Sequence, residues 1–360
     1  MILIITRSFP PEIGGIQSLM WGLSKHISKY RLTKVITNYH KNFKNTDNQV
    51  SFSIDRIKGN KLILKYRKSY YINNFIKQNP NIKCIIADHW KSLELIKSNK
   101  KKICLIHSKE INHEKGTRLN SRVLKVLNNV EVVVANSNFT KNLAENVGIN
   151  TNNIRVIHPG VNKTNKISKN FINEADKIIG KKNPILITVA RLEKRKNHER
   201  VIMALKNLKQ LYPNILYICI GYGEEKANLL KLSKELNIES QVKFLSDISS
   251  DLKNALISKS NLFVMPSIIF KKSVEGFGIS YIEAAQHGVP SIGGKDGGES
   301  DAIVNNETGL ICDGNNIESI YSGIDNILKN DSFEKYKKNS IDFAKKFEWE
   351  NIIKEYLKIL

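Results

Sequence analysis

Three consecutive stretches decide the fold of this chain: Asn261-Leu-Phe-Val-Met-Pro-Ser267, Glu275-Gly-Phe-Gly-Ile-Ser-Tyr-Ile-Glu283 and Gly288-Val-Pro-Ser-Ile-Gly-Gly294. The first and third are short apolar runs bounded by proline or glycine, which is typical of buried strands. The middle stretch predicts a glycine-rich loop that leads into a helix beginning near Ser280. A strand, a glycine loop, a helix and a second strand form a βαβ unit, so the sequence predicts a parallel sheet.

The same alternation of strand-like and helix-like segments continues along the whole chain of 360 residues. A chain of this length exceeds the usual single hydrophobic core, so two domains are expected. A polar stretch, Pro159-Gly-Val-Asn-Lys-Thr-Asn-Lys-Ile-Ser168, separates two groups of apolar runs and is the predicted linker. The predicted strands lie at residues 2–6, 33–37, 83–87, 102–106, 131–135 and 154–157 before the linker, and at 184–190, 215–220, 241–245, 261–265, 289–292 and 309–311 after it.

These patterns predict an α/β protein with two doubly wound, Rossmann-like domains, at residues 1–165 and 166–344. The segment from Ser332 onward is helical in pattern, and its last part, about 345–360, is expected to pack back on the first domain. In two such domains the carboxyl ends of the sheets face each other across a cleft, where ligands bind. The loops that follow strands are therefore the places to search for a site.

Composition limits the class of protein. Hydrophobic residues make up 41% of the chain, and no run reaches the ~18 apolar residues of a membrane span. The N-terminus begins with a strand-like run and shows no signal-peptide pattern, so a cytoplasmic location is expected. The four cysteines are scattered singly and are predicted to be small core residues in a reducing compartment: Cys84, Cys104, Cys219 and Cys312.

The net charge of +23 is distributed unevenly. Residues 1–180 contain 31 Lys and Arg against 11 Asp and Glu, whereas residues 181–360 contain 26 against 23. The excess of +20 in the first half indicates an extended anionic partner, either nucleic acid or an acidic membrane surface. A lysine-rich genome would also raise the total charge, but it explains the asymmetry poorly.

Two carboxylates in the 275–283 stretch suggest a ligand with both phosphate and hydroxyl groups. Gly276 and Gly278 let backbone amides approach a ligand closely, and the start of the following helix attracts an anion. Glu283 is expected one turn into that helix, while Glu275 stays on the loop. Together they would accept hydrogen bonds from hydroxyl groups, as in a nucleotide sugar. Alternatively, Glu275 only ends a loop and Glu283 is a solvated first-turn residue favoured by the helix dipole.

Three further loops after predicted strands carry candidate residues. Gly14 and Gly15 precede a helix and either form a turn or offer amides to a phosphate. Arg191 and Lys196 are spaced to surround one anion, although a solvated basic turn has the same pattern. His107 directly follows a predicted strand, which puts it on the ligand side of the sheet unless its role is structural.

Taken together, these loops resemble the retaining glycosyltransferases of family 4, which have the two-domain GT-B fold. The resemblance covers nearly the whole chain. The stretches Arg191-Leu-Glu-Lys-Arg-Lys-Asn-His198 and Glu275-Gly-Phe-Gly-Ile-Ser-Tyr-Ile-Glu-Ala284 are most similar to mannosyltransferases that glycosylate phosphatidylinositol mannosides. Many relatives carry an acidic residue just after the diglycine, where this chain has Gln17, a departure that concerns the acceptor side. The resemblance rests on motifs in the expected order: Pro10-Pro11-x-x-Gly14-Gly15, His107 with Glu110, Asn136-Ser137, His158-Pro-Gly-Val-Asn162, Ala190-Arg-Leu192 with Lys196-Asn197, Gly221-Tyr-Gly223 and the 275–283 stretch.

The resemblance implies a role for each candidate residue. Glu283 would bind the ribose diol of the donor, and Glu275 a hydroxyl of its sugar. Arg191 and Lys196 would neutralise the diphosphate leaving group. His107 would lie beside the sugar, donating to a hydroxyl or stabilising the oxocarbenium-like transition state. Backbone groups would complete the donor site, at Gly14, Gly15, Gly221, Gly276, Phe277, Gly278 and Ile279. Family precedent favours retention of configuration without an enzymic nucleophile.

Other classes of protein are less consistent with the motifs. No metal ion or cofactor is expected, because the sequence has no Asp-x-Asp motif and Arg191 with Lys196 supplies positive charge. A dinucleotide-dependent oxidoreductase is disfavoured because Gly221-Tyr-Gly223 lacks the third glycine of Gly-x-Gly-x-x-Gly, and a hydrolase because no Gly-x-Ser-x-Gly occurs. A sugar-nucleotide epimerase of the same fold would share the phosphate loops and stays open. A nucleic-acid-binding protein would explain the charge but not the glutamate stretch.

The acceptor side is predicted from one basic segment, in which Lys58, Lys61, Lys65, Arg67 and Lys68 alternate with leucine, isoleucine and tyrosine. Such a mixture suits an anionic membrane surface, although a solvated helix face would look alike. The chain is therefore predicted to move a hexose from a UDP-, GDP- or ADP-sugar to a lipid or lipid-linked glycan. It is expected at the inner face of the cytoplasmic membrane, with no nucleic-acid partner.

Overall fold

The computed structural model describes residues 1–60, 62–329 and 333–360. These residues form two compact units. Unit 1 comprises Met1–Asn162 together with Phe347–Leu360, and unit 2 comprises Lys163–Lys346. The chain thus passes into unit 2 three residues before the expected boundary and returns to unit 1 for its C-terminal helix.

Unit 1 is built on a seven-stranded sheet with the order β3-β2-β1-β4-β5-β6-β7, in which every pair of neighbouring strands is parallel. Its strands are β1 (Ile2–Ile5), β2 (Thr33–Asn38), β3 (Ser53–Ile57), β4 (Cys84–Ala87), β5 (Lys101–Ile106), β6 (Val132–Ala135) and β7 (Ile154–Val156). Its helices are α1 (Gly15–Ile27), α2 (Lys44–Asp47), α3 (Leu64–Gln78), α4 (Trp90–Leu93), α5 (Arg118–Leu127), α6 (Asn138–Asn146) and, after unit 2, α15 (Trp349–Lys358).

Unit 2 repeats this architecture with a six-stranded parallel sheet in the order β10-β9-β8-β11-β12-β13. Its strands are β8 (Ile185–Val189), β9 (Leu216–Ile220), β10 (Val242–Leu245), β11 (Leu262–Met265), β12 (Ser291–Gly294) and β13 (Gly309–Cys312). Its helices are α7 (Lys169–Ile179), α8 (His198–Leu211), α9 (Lys226–Glu235), α10 (Ser250–Ser258), α11 (Ile279–Gln286), α12 (Glu299–Ala302), α13 (Ile317–Lys329) and α14 (Phe333–Ala344). The predicted α/β class with two Rossmann-like parallel sheets is confirmed.

Alternate residues of β1 face opposite sides of the sheet in unit 1. Leu3 and Ile5 belong to one hydrophobic cluster, while Ile2 and Ile4 belong to another. Both faces of the strand are therefore buried, as a parallel sheet with helices on each side requires. Every predicted strand is present, but β3 has no counterpart among the predictions. Its sequence Ser53-Ile-Asp-Arg-Ile57 contains two charges, and a strand at the sheet edge tolerates them because one side is open to solvent.

The C-terminal helical segment is interrupted, whereas its pattern predicted continuous helix from Ser332, a residue outside the described ones. Residues Lys345–Phe347 form a 3-10 turn, and Glu348 is extended before α15 begins. Backbone hydrogen bonds join Val161 to Phe347 and Trp349. These two bonds replace helical hydrogen bonds at this point, so the helix is interrupted. Trp349 then packs against Gly22 of α1 so closely that a Cβ there would lie 2.3 Å from the indole ring.

Candidate active site

The 275–283 stretch forms a buried loop followed by α11. Gly278 has a φ of 89°, in the left-handed region that favours glycine, and the helix begins at Ile279, one residue before the expected position. Gly276 and the side chain of Phe277 are buried beneath the loop. Because the first amides of a helix lack intrahelical partners, the backbone at the start of α11 is suited to binding an anion.

Two cations converge on Glu275. Arg195 Nη1 lies 2.8 Å from Glu275 Oε2, and Lys196 Nζ donates to the same oxygen. The glutamate is only 8% exposed. Burial by itself would raise the pKa of the Glu275 carboxyl, but the charges of Lys196 and Arg195 outweigh burial and lower that pKa to about 2. Glu275 is therefore a fixed anion at neutral pH.

The loop that carries these cations is held in place from within the fold. Asn197 is buried in a left-handed conformation, and its side-chain amide donates to the carbonyls of Pro266 and Gly314 at 2.8 and 2.7 Å. The backbone of Arg195 also accepts a hydrogen bond from Ile268 N at 3.0 Å. These contacts join the loop after β8 to the loop after β11. The two loops thus bring Lys196 and Glu275 together, although the residues are far apart in sequence.

Arg191 takes a different position from the one that its spacing suggested. Its side chain is 61% exposed and pairs with Glu193 at 2.6 Å, whereas Arg195 lies against Glu275. Sequence reasoning missed Arg195. A signal was available, because Arg195 directly precedes Lys196 in a tight turn and shares its approach to the site.

The remaining donor-side candidates lie at the same edge of the unit 2 sheet. Glu283 is half-buried on α11 and accepts a hydrogen bond from Lys253 Nζ at 3.0 Å. Gly221 follows β9, and its N–H donates to the carbonyl of Leu245 at 2.8 Å. The structure therefore groups Lys196, Glu275, Glu283 and Gly221 at the carboxyl ends of the strands of one sheet, where ligands bind in this architecture.

A second buried carboxyl, Glu299, lies next to this cluster and was not among the predicted residues. It is fully buried, its Oε1 accepts a hydrogen bond from Ser267 Oγ, and its Oε2 has no hydrogen-bond partner among the described residues. Burial, reinforced by the negative charge of Glu275, raises the pKa of Glu299 to about 8. Two neighbouring carboxyls therefore have opposite states at neutral pH, one ionised and one protonated.

In unit 1, Asp88 organises the carboxyl ends of β1 and β4. Its two oxygens accept hydrogen bonds from Thr6 Oγ1 at 2.9 Å, from the N–H of Arg7 at 2.7 Å and from Ser92 Oγ at 2.8 Å. The carboxylate is 2% exposed and serves as a structural anchor. It leaves the exposed Arg7 at the rim of the sheet edge.

His107 follows β5, and its Nε2 lies 3.1 Å from the carbonyl oxygen of Asp88. A carbonyl can only accept, so Nε2 of His107 is the donor in this contact. The expected role of His107 beside the sugar, donating to a hydroxyl or stabilising the oxocarbenium-like transition state, stays a prediction. Nearby, burial lowers the pKa of His89 to about 3, and the charges of Arg7 and Lys91 add to that effect.

The diglycine stands at the start of α1. Gly14 precedes the helix and Gly15 is its first residue, which is exposed. Gln17, where relatives carry an acidic residue, donates to Glu12 at 3.3 Å. The first amides of a helix lack intrahelical partners, and anion binding at Gly14 and Gly15 stays a prediction.

The basic segment of residues 58–68 divides into two groups. Lys58 and Arg67 are exposed, and Lys61 lies outside the described residues. Lys65 pairs with Glu94 at 2.5 Å. Lys68 is buried, and its ammonium donates to the carbonyl of Thr6 and to Asn38 at 3.1 Å. The expectation that Lys68 contacts a membrane is therefore wrong, because it crosslinks α3 to the sheet.

Within the described residues, no group of three or more His, Cys, Asp or Glu side chains is arranged to hold a metal ion. No helix in that part of the chain has the length and apolar character needed to span a bilayer. All four cysteines are buried free thiols.

Comparison with known families matches both units. The description "Glycosyl transferases group 1" matches residues 170–347, and "Glycosyltransferase Family 4" matches residues 13–165. The two matched ranges together extend over nearly the whole chain.

Two relatives have named activities. A GDP-mannose-dependent alpha-(1-6)-phosphatidylinositol monomannoside mannosyltransferase of Mycolicibacterium smegmatis is 28% identical over 147 residues, 40% of this chain and 38% of that protein. An N-acetylgalactosamine-N,N'-diacetylbacillosaminyl-diphospho-undecaprenol 4-alpha-N-acetylgalactosaminyltransferase of Campylobacter jejuni is 28% identical over 223 residues, 61% of this chain and 57% of that protein. The chain thus covers less than two thirds of the length of either relative.

Solved structures share the fold over the full chain. Anabaena Alr3699/HepE, crystallised with UDP, has a TM-score of 0.83 at 20% identity, with 100% of both chains covered. WaaG, a glycosyltransferase involved in lipopolysaccharide biosynthesis, has a TM-score of 0.74 at 15% identity and covers 100% of this chain and 99% of its own. Because family matches, relatives and architecture agree, the chain belongs to the family 4 glycosyltransferases and has the GT-B fold.

Proposed function

We propose that the protein transfers a hexose, with retention of configuration, from a nucleotide diphosphate sugar to a lipid or lipid-linked glycan. The observation that carries this proposal is the buried Glu275, which Arg195 and Lys196 keep ionised at the carboxyl edge of the unit 2 sheet. A fixed carboxylate beside two cations and a helix start offers an acceptor for sugar hydroxyls and donors for phosphate oxygens.

In the proposed donor complex, Lys196 turns from Glu275 to the diphosphate, and Glu275 accepts a hydrogen bond from a sugar hydroxyl. Arg195 remains against Glu275, so the carboxylate is not left unpaired when Lys196 moves. Glu283 accepts from the ribose hydroxyls, for which it exchanges its bond with Lys253. The amides of Gly278 and Ile279 hold the distal phosphate at the start of α11.

The proposed reaction needs no covalent intermediate with the protein. The bond between the anomeric carbon and the phosphate oxygen breaks, and the acceptor oxygen forms its bond to that carbon on the same face. The acceptor proton passes to the departing phosphate oxygen. Lys196 and the amides at the start of α11 stabilise the negative charge that develops on the departing phosphate. A metal ion stabilises this charge in other enzymes, so the proposed reaction requires no metal.

The acceptor is proposed to reach unit 1 from an anionic membrane surface. On α3 and just before it, Leu62, Ile63 and Tyr66 are 84%, 51% and 65% exposed, and the exposed cations Lys58 and Arg67 flank them in the sequence. We call these five residues the outer patch. Exposed apolar side chains flanked by cations are typical of surfaces that bind anionic bilayers peripherally. The named lipid-linked acceptors of the two relatives are consistent with such a location.

The nature of the donor is tested first by thermal denaturation of the full chain with UDP-glucose, UDP-N-acetylglucosamine, GDP-mannose and ADP-glucose. A ligand that binds only the folded state raises the melting temperature, and we expect one of these compounds to do so. The binding donor, radiolabelled in its sugar, is then incubated with membrane lipid extract, and label is expected in the organic phase. No shift with any sugar nucleotide would contradict the proposal, and an epimerised sugar nucleotide without transfer would identify an epimerase instead.

The membrane location has a separate test. Full-length protein is expected to sediment with phosphatidylglycerol vesicles and not with phosphatidylcholine vesicles. Substitution of Lys58 and Arg67 by glutamate should reduce sedimentation, whereas Lys41→Glu, at an exposed lysine outside the outer patch, should not. Sedimentation that is independent of anionic lipid would remove the membrane from the proposal.

A further inference from the structure

A cavity of about 770 Å³ lies beside β3, the strand at one edge of the unit 1 sheet. Its walls come from the loop after β2 with Tyr39, from α2 with Lys44, from the end of β3 with Lys58, and from α3 with Arg67 and Tyr70. The volume falls in the range of small-molecule sites, roughly 300–1,000 Å³. Two lining residues, Tyr39 and Lys58, directly follow β2 and β3, so the cavity reaches the carboxyl edge of the sheet, which also carries His107.

The walls of this cavity carry an excess of positive charge. Asp55 is already paired with Lys34 at 2.6 Å and accepts from Tyr71 at 2.7 Å. Arg56 is paired with Asp47 at 2.7 Å, and its buried Nη1 has no hydrogen-bond partner among the described residues. Three other lining cations have no carboxylate partner in the described part of the chain: Lys44, Lys58 and Arg67. The cavity is therefore suited to an anionic group.

Tyrosine rings make up much of the remaining wall. Tyr39, Tyr70 and Tyr71 are 38%, 72% and 39% exposed and all line the cavity. A tyrosine ring offers an apolar face on which the C–H face of a sugar packs, and a hydroxyl that exchanges hydrogen bonds with the hydroxyls of that sugar. Cations together with exposed tyrosines around a concave space are thus complementary to a carbohydrate that bears a phosphate or carboxylate.

The cavity is distinct from most of the outer patch. Leu62, Ile63 and Tyr66 do not line it, although Tyr66 lies one turn before Tyr70 on the same helix. The exposed apolar residues of the outer patch are therefore outside the cavity wall, whereas its two cations, Lys58 and Arg67, also line the cavity. Because Leu62, Ile63 and Tyr66 are not part of the cavity wall, the cavity is better suited to a sugar than to a lipid bilayer.

The position of the cavity relates it to an acceptor. In the sheet order, β3 is four strands from β5, which His107 follows, so the distance along the edge is about 19 Å at the usual strand spacing. An acceptor whose reacting hydroxyl lies near His107 can extend along the sheet edge to the cavity. We propose that the cavity is a remote subsite for an anionic carbohydrate portion of the acceptor. This inference rests on the proposed function, because it assumes a glycan acceptor.

The test measures binding of soluble probes to the full chain by calorimetry, with no transfer step. The probes are pentamannosyl phosphate, neutral mannopentaose and inorganic phosphate. We expect pentamannosyl phosphate to bind more tightly than the other two probes. Lys44→Glu and Tyr70→Ala should each weaken that binding about tenfold, through loss of a charge and of a stacking face respectively.

Matched controls lie a few residues away. Lys41→Glu changes an exposed lysine three positions before Lys44, and Tyr66→Ala changes an exposed tyrosine outside the cavity. Both variants should bind pentamannosyl phosphate like the unmodified protein, and Tyr66→Ala should instead weaken vesicle binding. Circular dichroism confirms that each variant is folded.

Equal effects of the cavity and control variants, or equal binding of mannopentaose and pentamannosyl phosphate, would overturn the subsite. Loss of vesicle binding in Lys44→Glu and Tyr70→Ala with unchanged sugar binding would assign the cavity to the membrane surface and also overturn it. These outcomes leave donor binding untouched, so the subsite can fail while the proposed function stands. Failure of every sugar nucleotide to bind would contradict the proposed function instead.

Discussion

The two units have the same architecture, but the carboxyl edges of their sheets differ in their electrostatics. In unit 2, Arg195 and Lys196 converge on the buried Glu275, so both cations have a carboxylate partner within the fold. In unit 1, three cations around the cavity have no carboxylate partner among the described residues, namely Lys44, Lys58 and Arg67, and the tyrosines there are exposed. The net charges of residues 1–180 and 181–360, +20 and +3, show an asymmetry of the same kind, although these halves do not coincide with the two units.

This difference teaches how one fold can serve two kinds of ligand. A buried, hydrogen-bonded set of charges is preorganised, so it recognises a ligand of fixed chemistry such as a nucleoside diphosphate. An open cationic surface instead attracts anions of many shapes, and its affinity depends on salt. We expect substitutions in unit 2 to affect the chemical step and substitutions in unit 1 to affect acceptor capture.

The largest effect is expected for Lys196→Ala. If Lys196 neutralises the leaving group, its removal should lower kcat/KM by about 10²–10³, as the loss of one donor to a developing anion does in other enzymes. The control is Lys194→Ala, an exposed lysine in the same turn that should keep normal activity. Steady-state transfer rates measure both. Similar rates for Lys196→Ala and the unmodified protein would contradict the assignment of Arg195, Lys196 and Glu275 to the donor site.

Glu299→Gln is expected to change how the stability of unit 2 depends on pH. The pKa of Glu299 is raised from its ordinary value of 4.5 to about 8. Between these pH values the folded state binds a proton that the unfolded state has lost. The free energy of unfolding therefore falls by up to about 1.4 kcal/mol for each unit that the pH rises. A glutamine at position 299 does not titrate, so the Glu299→Gln variant should not lose stability in this way as the pH rises.

Thermal denaturation should therefore give nearly equal melting temperatures for Glu299→Gln and the unmodified protein at pH 5. At pH 8.5 the variant should melt higher by more than about 3 °C. A difference that does not grow with pH would show that Glu299 is ionised in the folded protein and that the two carboxyls have the same state.

Gly22→Ala is expected to destabilise unit 1, because the new Cβ would meet the Trp349 ring at 2.3 Å. Overpacking of this kind costs about 1–3 kcal/mol. Gly323 on α13 of unit 2 provides a matched helical glycine, since the nearest atom to its Cβ would be 3.5 Å away. Gly323→Ala should stabilise that helix by up to about 1 kcal/mol. Chemical denaturation measures both, and opposite signs are expected. If both substitutions changed the free energy of unfolding in the same direction, the packing of α15 on α1 would not require a glycine at position 22.

Arg195→Met is expected to have a smaller effect on rate and a distinct effect on pH dependence. Arg195 lowers the pKa of Glu275, so its loss should raise that pKa from about 2 toward the ordinary 4.5. Activity should then be lost with falling pH at a higher pH than in the unmodified protein, and kcat/KM at pH 7 should drop about tenfold. An unchanged acid limb of the pH–rate profile would mean that Lys196 alone keeps the Glu275 carboxyl ionised.

The sequence predicts the fold well because buried parallel strands are continuous apolar runs, as at Ile185–Val189. It misses β3, where the consecutive charges Asp55 and Arg56 interrupt the apolar pattern and have their partners on β2 and α2, respectively. Because residues of β3 line the cavity, a sequence analysis that misses this strand cannot predict the cavity either. Local signals are weakest where an element is stabilised by partners distant in sequence.

The candidate site shows the same limit. Glycine spacing and flanking strands predict that the loop around Glu275 lies near the loop around Lys196. Spacing cannot decide which of several neighbouring cations turns inward, and the buried Asn197 turn selects Arg195 and Lys196 over Arg191. The protonated state of Glu299 likewise depends on burial, which its polar neighbours in the sequence do not indicate.

The central claim is that the Lys196 and Glu275 pair forms the donor site, and calorimetric titration tests it most directly. A nucleoside diphosphate and its matching sugar nucleotide are titrated into the unmodified full chain, Lys196→Ala and Glu275→Gln. We predict that Lys196→Ala weakens the binding of both ligands. Glu275→Gln should weaken only the sugar nucleotide, because it removes the partner of the sugar hydroxyl and leaves Lys196 free for the diphosphate. Equal affinities of all three proteins for both ligands would contradict the account.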